Sequence, residues 1–210
     1  MSGDYYILED GEQTGPFTFD ELTDMGLDIH SRILSPTAAG WQDACDLPEF
    51  YAYFESRGIY FPTGDNLASF GWRLLAYMID LVILYFITGF IFAILASMGI
   101  TFKIQSYDDL FKLPLIQLLE LQLISSVPLI VYNSVCEASA MRGSVGKRVC
   151  SLVVVDIDGV RLTYLNALVR SLGKALSVAT FYAGFLSIFW SEHHQALHDY
   201  LARTYVVKRD

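Results

Sequence analysis

Two charged residues, Arg73 and Asp80, stand at the start of a long apolar run, and this run limits what the chain can fold into. No charged residue occurs between Leu81 and Phe102. An apolar run of about 20 residues is long enough to cross a bilayer as a helix. Charged side chains at that depth persist when they are paired or face a polar cavity. The sequence therefore predicts a membrane helix over about residues 69–99 that carries buried charges.

Arg73 and Asp80 are seven positions apart, so they lie on the same face of a helix. Seven residues rise roughly 10.5 Å, which is too far for the two side chains to pair directly. Each charge therefore needs a partner from another segment. For Asp80, the candidate partners are His198, Asn133 and Ser125, or a bound cation.

The charge distribution divides the chain into two parts. Residues 1–66 contain thirteen acidic and two basic residues, whereas the remainder contains ten acidic and twelve basic residues. The acidic part argues against nucleic acid as a partner, because phosphate binding needs clustered lysine and arginine. We predict an N-terminal domain over residues 1–57, a linker rich in glycine and proline over 58–66, and a membrane domain over 67–210.

The N-terminal residues have the pattern of a small α+β module. A short strand begins at Tyr5, and Thr18 and Glu21 have the spacing of a capping box at a helix start. This stretch resembles the bacterial variant of the GYF domain, a small adaptor fold. The matching residues are Tyr5-Tyr6, Gly15-Pro16-Phe17, Glu21-Leu22, and Trp41 followed by Pro48.

The resemblance to GYF domains implies a proline-rich protein partner, because these domains bind extended segments on an exposed aromatic surface. Four aromatic residues could supply that surface: Tyr5, Tyr6, Phe17 and Trp41. Alternatively, the same side chains form the core of this small module.

A second membrane helix is predicted over about residues 113–136, with Glu120 inside it. The chain turns basic after this segment, and the positive-inside rule then predicts that both this region and the N-terminal domain are cytoplasmic. We therefore expect a multi-pass protein of the cell inner (plasma) membrane, in contact with the lipid bilayer.

The segment after the second helix combines strand and helix patterns. Residues 150–164 predict a β-hairpin with Asp158-Gly159 at its turn, and the β-branched run 204–207 could join the same sheet. The hydrophobic segment over about 165–190 is either re-entrant or spanning. We favour a re-entrant path, because its charge-free part is only sixteen residues long, which is short for a span.

The membrane part resembles the RDD family, which is named for one arginine and two aspartates. The matches occur in order at Trp72 to Asp80, Ser144 to Arg148, Val153 to Gly159, Arg170, and Leu197 to Thr204. Arg73, Asp80 and Asp199 are then the three residues of the family name. The family commonly has glycine where this chain has Arg203. The resemblance implies a small membrane protein proposed to transport an unknown ligand.

The candidate site contains the buried charges and the histidine near them, namely Arg73, Asp80, Glu120, His198 and Asp199. Pairing of Asp199 with Arg73 would lock the C-terminal segment onto the first helix. Asp80 and Glu120 in one cavity could share a proton or hold a cation, because like charges raise one pKa. The alternative is a structural polar network that fixes the helix register.

Two functions follow from these patterns. The first is a transport or channel component, expected to be a homo-oligomer because two or three helices cannot easily enclose a path. The alternative is a membrane-anchored adaptor or assembly factor whose GYF-like head recruits proline-rich partners.

Other chemistries have little support in the sequence. The three cysteines, Cys45, Cys136 and Cys150, have no paired spacing, so we expect reduced thiols and no metal site. We find no nucleophile–base constellation and expect neither an enzyme nor a cofactor. The polar, acidic start predicts no cleavable signal peptide.

Overall fold

The computed structural model describes residues 4–9, 11–99, 114–180 and 183–209. The chain forms two compact units, Met1–Phe61 with Asp158–Val160 and Pro62–Ile157 with Arg161–Asp210.

The first unit is an antiparallel sheet of four strands with two short helices. The strands are β1 (Tyr5–Glu9), β2 (Glu12–Phe17), β3 (Arg32–Leu34) and β4 (Trp41–Asp43), and the helices are α1 (Phe19–Asp24) and α2 (Tyr51–Ser56). The strand order is β2-β1-β3-β4. Ile7 and Ile33 are paired across β1 and β3 and are buried with Leu22, Phe50 and Phe54 in one core.

The predicted capping box at the start of α1 is confirmed. Thr18 Oγ1 accepts a hydrogen bond from the Glu21 backbone N–H at 3.3 Å, and Glu21 Oε2 accepts one from the Thr18 backbone N–H at 2.7 Å. Each residue thus satisfies a backbone donor that the helix itself leaves unpaired. The cap fixes where α1 begins and directs Leu22 into the core.

The second unit is mostly helical. Its helices are α3 (Phe70–Ser97), α4 (Leu115–Ala138), α5 (Val145–Val149), α6 (Tyr164–Ala179), α7 (Ala183–Leu186) and α8 (Leu197–Ala202). Its two strands are β5 (Leu152–Asp156) and β6 (Thr204–Lys208). Helix α6 packs against both α4 and α8, and α3 packs against α5.

Among the described residues, α3 is the helix long and apolar enough to cross a membrane by itself. It has 28 residues, and most of its large apolar side chains are exposed in the isolated chain. Helix α4 has 24 residues, which span about 36 Å at the rise of an α-helix. Position 113, where we predicted the second helix to begin, lies outside the described residues.

The hydrophobic segment after the second helix is sharply bent. Tyr164–Val178 and Ala183–Phe189 meet at an angle of 111°. Together the two pieces are long and apolar enough to count as one broken span or one re-entrant segment. The two pieces therefore do not form one straight helix.

The predicted β-hairpin over residues 150–164 is wrong in its second arm. Strand β5 pairs antiparallel with the C-terminal strand β6, with Val154 opposite Val206. The expected return arm makes an isolated bridge between Val155 and Arg161. The reason is local: Thr163 accepts a hydrogen bond from a backbone N–H of α6 and starts that helix, which leaves β6 to cover β5.

Helix α8 ends at Ala202, and the next residue, Arg203, adopts a left-handed backbone conformation with φ of 51°. This conformation costs an ordinary residue roughly 1–2 kcal/mol, and glycine avoids the cost. Arginine here forms the turn for which the resembled family commonly uses glycine. The turn leads directly into β6.

Gly146 allows α5 to approach α3 closely. A Cβ atom at this position would overlap the carbonyl oxygen of Ala76 and lie 2.9 Å from Cγ of Asp80. The Gly146 backbone N–H also donates a hydrogen bond to Asp80 at 2.7 Å. A side chain at position 146 therefore requires the two helices to separate.

We expect Gly146→Ala to lower the melting temperature of the detergent-purified full chain by several degrees. Forcing a methyl group into a closely packed contact typically costs about 1–3 kcal/mol. Thermal unfolding followed by tryptophan fluorescence measures the effect. Gly71→Ala on α3 is the matched control, because its added Cβ would meet nothing closer than Ser69 Oγ at 4.0 Å. Equal melting of Gly146→Ala and the unaltered chain would contradict the close contact.

Candidate functional site

The second unit contains six charged side chains joined by short contacts, which we call the buried charge cluster. Helices α3, α4, α5, α6 and α8 each contribute to it. Its members are Arg73, Glu137, Lys147, Arg170, Lys174 and Asp199.

Asp199 is fully buried and pairs with Arg73, as the sequence predicts. Its Oδ2 accepts a hydrogen bond from Arg73 Nη1 at 2.6 Å, and its Oδ1 accepts two from Arg170, from Nε at 2.9 Å and Nη2 at 2.5 Å. Burial alone would raise the pKa of Asp199, but Arg170 and Arg73 outweigh it and hold the pKa well below its usual range. The carboxylate is therefore ionised at neutral pH.

Glu137, in the last turn of α4, is the second buried carboxylate. Its Oε1 accepts hydrogen bonds from Lys147 Nζ at 2.5 Å, Arg170 Nη1 at 2.7 Å and Lys174 Nζ at 2.7 Å. Its Oε2 is buried and has no hydrogen-bond partner among the described residues. Three cations at one oxygen offset the cost of removing this carboxylate from water.

Arg170 connects the two carboxylates. Its side chain is 1% exposed, and its planar guanidinium donates to Glu137 on α4 and to Asp199 on α8 at the same time. Arginine suits this position because its donors form a rigid fork that a lysine does not have. The side chain therefore fixes α6 against both neighbouring helices.

The two lysines stand at the edge of the buried charge cluster. Lys174 follows Arg170 by one helical turn and also donates to Asn133 Oδ1 at 3.3 Å. Burial lowers the pKa of Lys147 to about 7, although Glu137 opposes this shift. The side chains of Lys147 and Lys174 keep 11% and 15% of their surface exposed, whereas Glu137 keeps none.

Asp80 lies outside this cluster and is 4% exposed. Its Oδ1 accepts hydrogen bonds from the Tyr132 hydroxyl at 2.9 Å and the Gly146 backbone N–H at 2.7 Å. The Tyr132 oxygen in turn accepts one from the Val145 backbone N–H at 2.9 Å. Asp80 thus ties α3 to α4 and α5 through uncharged donors.

The donors proposed from sequence for Asp80 lie elsewhere. His198 is buried beside Asp199, with Nε2 3.4 Å from the Asp199 carboxylate. Asn133 receives its contact from Lys174. The side chain of Ser125 is outside the described part of the chain. Tyr132 was missed because a tyrosine near the end of an apolar helix usually indicates the membrane interface.

The predicted cavity shared by Asp80 and Glu120 does not form. Asp80 contacts α4 at Tyr132, twelve positions after Glu120, which corresponds to about 18 Å along the helix. Glu120 is also exposed. Two carboxylates so far apart cannot share one proton.

Glu137 is the main residue of the buried charge cluster that sequence reasoning missed. It is the single charge between Glu120 and Arg142, so it marks the end of the second apolar segment. Arg170 and Lys174 have the i, i+4 spacing that places two cations on one helix face. Together these signals favour a pairing between α4 and α6, but they do not identify which carboxylate pairs with which cation.

The four aromatic candidates in the head fall on two faces of its sheet. The Tyr5 and Phe17 side chains pack against the core. Tyr6 is paired with Leu34, and Leu34 with Trp41, so these three form a row across β1, β3 and β4. The row lies on the face opposite the core, because side chains alternate along a strand, and each member is half-buried.

One group among the described residues could hold a metal ion. His30, Asp43 and Cys45 have ligand atoms within 4.8 Å of one another. However, the Arg32 guanidinium lies 3.6 Å from Asp43 and already supplies positive charge there. The sequence did not predict this group.

Comparison with known proteins agrees with both resemblances. Residues 67–203, well over half of the chain, match the model of the RDD family. The chain belongs to the RDD family. Residues 5–50 match GYF domain 2. The uncharacterized protein YxaI of Bacillus subtilis (strain 168) is 31% identical over 149 residues, which cover 68% of this chain and 98% of YxaI. No solved structure matches the chain.

Family membership and the apolar helix α3 make this a membrane protein. In this RDD protein, the three residues of the family name do not form one site. Arg73 and Asp199 pair within the buried charge cluster, whereas Asp80 binds Tyr132 and Gly146.

Burial of His198 predicts acid sensitivity of the RDD domain. Burial lowers the pKa of His198 to about 3 from its ordinary 6.5, even though Asp199 opposes the shift. The unfolded chain binds a proton below about pH 6.5 and the folded chain does not, so stability falls by up to about 1.4 kcal/mol per pH unit below that value. Thermal melting between pH 7.5 and pH 5 measures this loss.

We expect His198→Gln to melt with a weaker pH dependence over that range than the unaltered chain. His193→Gln is the control, because His193 is exposed. An equally steep pH dependence in His198→Gln would show that another group causes the acid sensitivity.

Proposed function

We propose that this RDD protein is a component of a membrane transporter or channel in which Asp80 binds a proton or a small cation. The supporting observation is that Asp80 is buried within α3, while both donors described for it, Tyr132 and Gly146, are uncharged. Removing a carboxylate from water without a countercharge is costly. Binding of a proton or cation at Asp80 removes that cost, whereas Asp199 already has arginine partners.

A transport path requires more than one copy of the chain in this proposal. Helix α3 leaves large apolar side chains such as Tyr85, Phe86 and Phe90 exposed. The small residues Gly89 and Ala93 on the same helix would allow a second helix to approach closely. We therefore propose a homo-oligomer and a role other than catalysis.

The proposed orientation follows from charge. Basic residues are concentrated after α4, and the positive-inside rule assigns such regions to the cytoplasm. We propose a multi-pass protein of the inner (plasma) membrane with the GYF-like head in the cytoplasm.

We expect Asp80→Asn to reduce proton or sodium flux into proteoliposomes at least tenfold. The asparagine oxygen can still accept from Tyr132 and Gly146, so the melting temperature should stay within a few degrees. Glu120→Gln is the matched control, because it neutralises an exposed carboxylate on α4. Flux in correctly folded Asp80→Asn equal to that of the unaltered chain would overturn the role proposed for Asp80.

A second function is favoured by the aromatic row on the head. Tyr6, Leu34 and Trp41 form a half-exposed apolar strip on the sheet face that the core does not use. Extended proline-rich segments bind such strips. We propose that the head recruits a proline-rich protein to the membrane, and this role is compatible with transport by the RDD domain.

The double variant Tyr6→Ala/Trp41→Ala should weaken binding of a fluorescent proline-rich peptide to the full chain about tenfold or more. Loss of buried aromatic contacts commonly costs above 1 kcal/mol in an interface. Fluorescence polarisation in detergent measures the affinity. Met25→Ala, which removes an exposed apolar side chain after α1, should bind normally. Unchanged affinity in the double variant would contradict the proposed surface.

A further inference from the structure

The buried charge cluster has more positive than negative charge. When Lys147, whose pKa is about 7, is protonated, four cations contact two carboxylates: Arg73, Lys147, Arg170 and Lys174 against Glu137 and Asp199. Even if Asp80 is included, the cations outnumber the carboxylates. Because buried charge is stable only when it is compensated, this region favours an additional anion.

Two of the four cations, Lys147 and Lys174, meet at Glu137. Lys147 and Lys174 both contact the same oxygen of Glu137, so their ammonium groups lie close enough for one further group to bridge them. Each ammonium has three N–H donors. In the described contacts, Lys147 uses one donor and Lys174 uses two.

Three members of the buried charge cluster keep part of their side chains exposed. The side chains of Lys147, Lys174 and Arg73 are 11%, 15% and 12% exposed, whereas those of Arg170 and Glu137 are at most 1% exposed. Lys147 and Lys174 meet at Glu137, so an anion could approach the cluster along these two partly exposed side chains. Arg73 Nη2 is a further buried donor of the cluster without a hydrogen-bond partner among the described residues.

Helix α6 also has an exposed apolar face, which lies on the side of the helix away from Lys174. Leu168, Leu172 and Leu176 are exposed along this helix. A helix with an exposed apolar face and basic residues is typical of the lipid headgroup boundary, where basic pockets between helices bind anionic headgroups. Acyl chains of membrane lipids could cover these leucines, which would place α6 at the depth of the lipid headgroups.

We propose that Lys147 and Lys174 bind the phosphate group of an anionic membrane lipid. The phosphate oxygens would accept hydrogen bonds from the unused lysine donors and would compensate the excess positive charge. This binding would stabilise α5 and α6 around Glu137, because both lysines are anchored to that carboxylate. The inference does not depend on cation binding at Asp80.

The test uses the delipidated full chain in detergent, with thermal melting measured after addition of phosphatidylglycerol, phosphatidylcholine or inorganic phosphate. We expect phosphatidylglycerol to raise the melting temperature by several degrees and phosphatidylcholine to leave it unchanged. Equal shifts with the two lipids would overturn the proposal. If millimolar inorganic phosphate gave the full effect of phosphatidylglycerol, a lipid source would be excluded and a free phosphate would take its place.

Variants locate the binding site. Lys174→Gln and Lys147→Gln should each reduce the phosphatidylglycerol shift at least twofold, and Lys174→Arg should retain it. Arg148→Gln is the matched control, because it removes an exposed cation next to Lys147. An equal reduction in Arg148→Gln would overturn the proposal in favour of general surface attraction. If a glutamine variant failed to fold, native mass spectrometry would measure the phosphatidylglycerol bound to Lys174→Arg and to Arg148→Gln. Loss of bound lipid in Arg148→Gln but not in Lys174→Arg would overturn the proposed site.

Discussion

The guanidinium of Arg170 holds the RDD domain together. It is buried between Glu137 at the end of α4 and Asp199 at the start of α8, and Asp199 extends the contact to Arg73 on α3. Removing one partner of such a buried group leaves an uncompensated charge, at a cost of about 3–5 kcal/mol. Helices that are largely apolar are thereby held in one register by a few polar contacts.

The buried carboxylates in this protein are of two kinds, which differ in whether their partners are charged. Asp199 and Glu137 are surrounded by cations and act as structural centres. Asp80 receives uncharged donors from Tyr132 and Gly146, and this difference is the basis for proposing that it binds a proton or cation. In the buried charge cluster, the cations outnumber the carboxylates. This excess around Lys147 and Lys174 is the basis for the proposed anionic lipid site.

Particular elements show how far the sequence could predict the structure. The Arg73–Asp199 pair and the capping box of α1 were predicted because each depends on a charge rule or a local spacing. The predicted second arm of the hairpin does not form. Asp158-Gly159 favours a tight turn locally, but Thr163 starts α6 soon after it, and β6 pairs with β5 instead. The prediction that Asp80 and Glu120 share a cavity was wrong, because the register between α3 and α4 depends on side-chain packing.

The sequence by itself determined the acidic head, the long apolar helix and the family to which the chain belongs. These features depend on composition, length and the order of motifs, which can be read along the chain without knowing how it folds. Only the tertiary structure decided that Glu137, rather than Glu120, joins the charge cluster and that Tyr132 and Gly146 bind Asp80. A buried charge requires a partner, but the identity of that partner depends on which helices meet and at what depth.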